Sequence, residues 1–375
     1  MRIALFTPYS PVIGGGSVQL RSHLEQMEGL DIRWHYLSGS PVAGDSWRWL
    51  GKPFTPAQFV SDISARSEFL PGSTARAREL VKQMDADLYW VVAHYEGISI
   101  AEELLRQGKS VHLTVHDEPL AMVMRSRCYR FLYPLGARVF KRVLLGAKSV
   151  DVTSWGMRGY FNQKFDLKCF ALYRSIAQLP PLKFAGDPNV FRVGHIGSLY
   201  HPNPFRRFVK ACREYAEGQN RELRVMRVGI SPEMDKIADE NPEVFENCGE
   251  LEEQNALPIL ANCDFLYAMY PAGYRYKGFR RLSLPIKLST YVQAQRPIFA
   301  HTPEDSGLAK VVSEYKVGCT CASDDHAELK GKIGRILRSP VKREQFETLR
   351  NELMGARQVE QLRKALTQEK QGTEV

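Results

Sequence analysis

Short hydrophobic blocks alternate with amphipathic stretches along most of the chain, and one such unit occurs twice. Arg2-Ile3-Ala4-Leu5-Phe6 reads as a buried strand. It runs into Gly14-Gly15-Gly16-Ser17 and then a helix with Leu20, Leu24 and Met27 at helical spacing. Phe191-Arg192-Val193-Gly194-His195-Ile196 repeats the strand, Gly197-Ser198 the turn, and Phe205, Phe208, Val209 and Cys212 the helix. In the first half the pattern predicts further strands at 34–37, 88–93, 111–115 and 149–153, with helices near 73–84, up to Gly108 and up to Gly146. In the second half it predicts strands at 223–229, 264–269 and 297–300. Helices are expected to open at Ser283-Leu284-Pro285, with a serine cap and a first-turn proline, and at Ser306-Gly307. From Val341 to Glu369 the chain is polar and helical and has no partner strand.

Strands alternating with helices build parallel sheets, and a glycine turn between strand and helix presents backbone N–H groups to an anion. The expected fold is α/β, with two Rossmann-like, doubly wound domains facing across a cleft. The expected domains are residues 1–180, residues 188–340, and a helical tail, 341–375, packing back on the first domain. Proline clusters between Leu179 and Pro188 mark the boundary. A length of 375 residues fits two cores.

Composition narrows the class. No segment approaches the roughly 20 apolar residues of a membrane span, and Met1-Arg2 leads straight into a strand, so no secretory signal is expected. Seven cysteines are scattered without a C-x-x-C pair, which argues for reduced thiols, a cytoplasmic protein and no structural zinc. The net charge is +9, and residues 1–180 carry 22 cations against 16 acids. Seven of those cations lie between Arg125 and Lys148 with no acid, interleaved with Tyr129, Phe131, Tyr133 and Phe140. That run suits an anionic membrane surface, which would make the protein peripheral at the inner face of a membrane. A solvated helix face is the plainer alternative. No nucleic-acid-binding motif accompanies the charge.

Four ordered segments resemble the GT-B-fold glycosyltransferases, most closely the retaining family 4 enzymes. They are Pro11-Val12-Ile13-Gly14-Gly15-Gly16; Thr114-Val115-His116-Asp117; Val193 to Leu199 followed by Asn203-Pro204; and Leu284 to Val292 continuing through Arg296-Pro297-Ile298 to Gly307. The last is similar to the family's P-x-K-x-x-E-Y-x-x-x-G-x-P-V signature. The family's Glu-x7-Glu motif is missing at both ends: the positions are Leu282 and Thr290. In the family the second glutamate contacts the donor ribose.

The resemblance implies transfer of a sugar from a nucleotide sugar to a glycan or lipid-linked glycan, with retention of configuration and no cofactor besides the donor itself. No Asp-x-Asp stands at a suitable strand end, so a metal-independent enzyme is expected. Leaving-group charge must then be met by cations and N–H dipoles. Gly197 and Ser198 are candidate backbone donors to the diphosphate, against the alternative of an ordinary turn. Lys287, in the first turn of a helix, opposes the helix dipole unless an anion pairs with it. It is a candidate catalytic cation, against a plain surface lysine. Arg275, Lys277, Arg280 and Arg281 crowd one loop, and Arg281 is the candidate second phosphate ligand. The resemblance places Thr290, Tyr291, Ser306 and Gly307 along the donor as well. In the first domain, His116 and Asp117 end a strand and are candidate catalytic residues, against a structural histidine and a helix-capping aspartate. Gly15, Gly16, Ser17 and His94 are candidate acceptor contacts. Two alternatives are carried: a GT-B-fold sugar-nucleotide epimerase, for which no pair of acids was found, and a non-catalytic nucleotide-sugar-binding protein. Neither glycine turn has the G-x-G-x-x-G spacing of a dinucleotide-binding dehydrogenase.

Overall fold

The computed structural model describes residues 1–12, 14–37, 40–51, 74–94, 96–117 and 133–368. Residues 1–175 with 356–375 form one compact unit, and 176–355 form a second.

The first unit holds β1 (Arg2–Thr7), α1 (Gly15–Leu24), β2 (Asp31–Tyr36), β3 (Trp47–Trp49), α2 (Thr74–Lys82), β4 (Leu88–Val92), α3 (Glu96–Arg106), β5 (Val111–Val115), α4 (Tyr133–Gly146), β6 (Ser149–Val152), α5 (Trp155–Phe165) and β7 (Phe170–Ala171). Its sheet is parallel throughout, in the order β3-β2-β1-β4-β5-β6-β7. β4 and β5 are buried at every position, as strands covered by helices on both faces must be.

The second unit holds β8 (Val190–Ile196), α6 (Pro202–Glu217), β9 (Glu222–Val228), α7 (Pro232–Asp239), β10 (Phe245–Asn247), α8 (Glu253–Ala261) and β11 (Phe265–Met269). A 3-10 turn at Tyr274–Tyr276 leads to α9 (Lys277–Leu282), α10 (Lys287–Ala294), β12 (Ile298–His301), α11 (Gly307–Glu314), β13 (Gly318–Cys321), α12 (His326–Arg338) and α13 (Arg343–Leu353). Its parallel sheet runs β10-β9-β8-β11-β12-β13. Both sheets reverse winding direction between their first and fourth strands, where doubly wound folds bind ligands at the carboxyl ends.

The last described helix, α14 (Ala356–Thr367), returns to the first unit, where Val359, Leu362 and Leu366 join a core of Ile3, Leu5, Trp34 and Trp90. Fully burying side chains of this size contributes roughly 1.5–3 kcal/mol each. Of the helical tail, α13 lies in the second unit and α14 in the first. The second core is aromatic: Phe191, Phe205, Phe208, Phe265, Tyr267 and Phe299 pack together. On the other face of β8, Gly194 lets Leu266 and Leu260 pack close, because a Cβ there would stand 2.5 Å from Leu266.

The helix expected to open at Ser283 starts later. Ser283 closes α9 by donating its N–H to Phe279, and α10 begins at Lys287 after Ile286. Pro285 falls outside α10, and its carbonyl accepts the Leu288 N–H. Of the basic run, residues 125–132 lie outside the described residues. Its continuation, α4, buries Val139, Phe140, Val143 and Leu144, and Arg142 pairs with Glu102 of α3 at 2.7 Å. No helix among the described residues is long and apolar enough to cross a membrane.

Candidate functional site

In the second unit the residues nearest the winding reversal gather around Lys287. β8 ends in Ile196, and Gly197 follows with φ 73°, a left-handed backbone that favours glycine. Space above Gly197 is open. Its own N–H is committed to the Val228 carbonyl at 2.9 Å, so this glycine shapes the turn rather than donating from it. The Ser198 N–H makes no bond to any described residue. Lys287 reaches back from the start of α10 to this turn: its Nζ donates to the Ser198 carbonyl at 2.8 Å and lies 3.1 Å from His195 Nε2. His195 is buried, and burial together with the Lys287 charge holds its pKa well below the usual value, so the ring is neutral. His195 Nδ1 lies 3.1 Å from the Tyr267 carbonyl, and Nε2 lies 3.1 Å from both the Gly197 carbonyl and Lys287 Nζ; a neutral ring donates to one of the two carbonyls, and Nε2 accepts from Lys287 when the proton is on Nδ1. Lys287 is half-buried, and desolvation lowers its pKa to about 7.

One turn along the same face of α10, Thr290 Oγ1 donates to Glu253 Oε1 of α8 at 2.7 Å. The position where the family signature carries glutamate thus holds a hydroxyl that orients a carboxylate from another helix. Tyr291 is fully buried; its hydroxyl donates to the Tyr267 carbonyl at 2.7 Å and accepts the Ile196 N–H at 3.3 Å. It ties α10 to β8 and β11 from beneath. Ser306 is likewise buried and caps α11 by accepting the Ala309 N–H. A Cβ on Gly307 would come within 3.0 Å of the Ser283 carbonyl, so this glycine lets α11 approach the segment leading to Lys287.

Of the cationic loop, Arg280 is spent internally. It forks onto Asp305 at 2.8 and 3.2 Å and donates to the Ala272 and Gly273 carbonyls. Arg281 is 52% exposed and stands 3.9 Å from Asp305, so it remains available to solvent ligands. The Asp305 carboxyl titrates below the usual range because Arg280 binds it, with Arg281 and Lys277 nearby.

In the first unit a second group forms at the carboxyl ends of β1, β4 and β5. Gly14, φ 89°, opens α1 without a side-chain cap. Gly16 has no room for a side chain: a Cβ would lie 2.6 Å from Tyr9 Oη and 2.9 Å from His116 Nδ1. Tyr9 Oη lies 3.0 Å from His116 Nδ1, and the Thr153 hydroxyl donates to the His116 carbonyl. Ser17 is buried and donates to the Ser10 carbonyl at 2.6 Å, pinning the loop before α1. Burial, then His94 and His23, lowers the His116 pKa to about 3. Burial and the nearby Asp117 charge raise Tyr9 well above the phenol range. Tyr9 therefore keeps its proton and donates to Nδ1, which leaves His116 as the Nε2–H tautomer. Nε2 has no partner among the described residues. A neutral imidazole with a fixed donor suits a ligand hydroxyl or carbonyl, not proton donation near neutral pH. His94 packs edge-on against the Tyr9 ring; burial lowers its pKa and Asp117 opposes that shift.

Sequence reasoning missed three members of these groups: Tyr9, His195 and Glu253. Tyr9 sits in a loop without periodicity, and His195 reads as one more strand residue. Only Thr290, at the position where a glutamate was expected, hinted at Glu253.

No family model matches the chain, and no curated protein does. Solved structures do. One described as trehalose-6-phosphate from E. coli bound with UDP-2-fluoro glucose superposes with a TM-score of 0.64 at 12% identity, covering 98% of this chain and 100% of that one. WaaG, a glycosyltransferase involved in lipopolysaccharide biosynthesis, gives 0.60 at 13% identity, covering 98% and 100%. AviGT4, a glycosyltransferase involved in avilamycin A biosynthesis, gives 0.56 at 16%, covering 97% and 96%. The chain has the GT-B fold.

Proposed function

We propose that the protein is a glycosyltransferase that takes a sugar from a nucleotide-sugar donor and passes it to a glycan or lipid-linked glycan, with retention of configuration. The observation that carries this reading is Lys287, a desolvated ammonium at the switch point of the second sheet, held on the Ser198 carbonyl in the turn after β8. Diphosphate charge grows as the sugar leaves, and a cation held in place beforehand stabilises that charge without reorganising. An ammonium carries three N–H donors, and Lys287 uses one on Ser198 and at most one on His195, so at least one is left for a phosphate oxygen. Arg281 adds exposed positive charge, and we assign the counter-charge to these side chains rather than to a divalent ion. Glu253, steadied by Thr290, takes the ribose hydroxyls. In the first unit, the His116 Nε2–H and the uncapped start of α1 at Gly15 and Gly16 meet hydroxyls of the acceptor or the transferred sugar. His94 lines that group, and Asp117 sets its charge. The basic run ending at Lys148 would keep the protein at an anionic membrane face.

The test is release of nucleoside diphosphate from a panel of nucleotide sugars, with and without candidate glycans and with EDTA present. Turnover that survives EDTA and falls at least about a hundredfold in Lys287→Ala supports the reading. Tight donor binding without turnover on any acceptor would instead favour a binding protein. The Glu253 assignment is read separately: Glu253→Gln should erase any preference for the ribonucleotide over its 2′-deoxy counterpart while diphosphate binding persists.

A further inference from the structure

The second unit carries another cavity, of about 460 Å3, which shares no residue with the Lys287 group. It lies beside the edge strand β13, among α11, α12 and the start of α13. Three cations line it, Lys316, Lys332 and Arg335, and no acidic residue does. Among the described residues, no carboxylate lies within ion-pair distance of any of the three. Thr320 and Ser339 add hydroxyls. Lys316 holds a left-handed backbone, φ 53°, which costs a non-glycine residue about 1 kcal/mol.

The plainer account is that these cations offset helix dipoles, since α11 and α12 end here. Magnitudes decide against it as the whole explanation. Each helix end carries roughly half an elementary charge. Two carboxyl ends supply about one negative charge, and the amino end of α13, where Gln345 lines the cavity, returns half of it. Against three full cations, a surplus of about two and a half positive charges remains. A phosphate monoester carries about −1.5 to −2 near neutral pH and offers three acceptor oxygens. A bare phosphate leaves much of 460 Å3 unfilled. Cys319 lines the same space, and although burial raises its thiol to about 12, Lys332 and Arg335 both pull against that rise. Their fields therefore converge on one spot.

We propose that this cavity binds a small soluble phosphate monoester, with Lys332 and Arg335 on the phosphate, Lys316 closing its mouth, and the hydroxyls meeting the organic part. The test is calorimetric titration of the full chain with glycerol 3-phosphate and with inorganic phosphate at fixed ionic strength. Expected are saturable millimolar binding, tighter for the monoester, and a loss of at least about tenfold in Lys332→Gln/Arg335→Gln. Lys316→Gln, an exposed change that keeps the fold, should weaken binding independently. Lys287→Ala should leave this binding unchanged, which separates the site from the donor site. The proposal is overturned by absence of saturation, by unchanged affinity in the double variant, by loss in Lys287→Ala alone, or by binding only to vesicles containing phosphatidic acid.

Discussion

Lys287 allows the sharpest test, because its charge state should set the pH dependence of nucleotide binding. Its pKa of about 7 arises from desolvation between the β8 turn and α10. A diphosphate needs the ammonium form, so binding at higher pH must first restore the proton. Affinity should level off about one unit below pH 7 and fall as pH rises through it. For a pKa of 7, the protonated fraction drops from one half at pH 7 to about one hundredth at pH 9, a loss of about fiftyfold or 2.3 kcal/mol. The assay is calorimetric titration with the best-binding nucleoside diphosphate from pH 6 to pH 9, in two buffers of different ionisation heat to count the proton taken up. Lys287→Ala should bind more weakly and lose the slope. A flat wild-type profile, or the same slope in Lys287→Ala, would refute the reasoning. The linkage also has a sign for stability. The folded pKa lies below the unfolded value of about 10.4, so the unfolded chain binds more protons between pH 7 and 10.4. The cost of charging Lys287 is fully present below pH 7 and is relieved above it, so wild type should gain stability relative to Lys287→Met across that window.

Other outcomes follow from packing. Gly16→Ala would drive a methyl against Tyr9 Oη and His116 Nδ1; turnover should fall sharply while the melting temperature drops by only about 1–3 kcal/mol in equivalent stability. Asp151 is fully buried, accepting from Thr114 at 2.5 Å and pairing with His112 at 2.8 Å, so Asp151→Ala strands the network and should cost about 3–5 kcal/mol in denaturant unfolding. Leu362→Ala in α14 should cost about 2–5 kcal/mol, read as earlier unfolding of the first unit, with the second unit's transition unmoved.

The doubly wound fold was legible because a strand, a glycine turn and a helix are local features, repeated at Arg2 and Phe191. Lys287 stood out for a similar reason: a cation in a first helical turn is locally misplaced. Partnerships were not legible. Glu253 lies 37 residues from Thr290, and Tyr9 lies 107 from His116; only the folded sheets bring them together. Tyr291, Ser306 and Ser17 read as ligand contacts, yet their hydroxyls are spent on backbone groups beneath the turns. Short edge strands such as β3, β7, β10 and β13 carry too few residues for a period of two to show. The cap at Ser283 was misread because serine suits either end of a turn, and here it finishes α9.

The most direct measurement is a crystal structure of the second unit's nucleoside diphosphate complex, obtained with the full chain. The account predicts a phosphate oxygen within hydrogen-bond distance of Lys287 Nζ and the Ser198 N–H, with the ribose hydroxyls on Glu253. Phosphates bound elsewhere, with Lys287 still turned onto His195 and no ligand contact at Ser198, would contradict it.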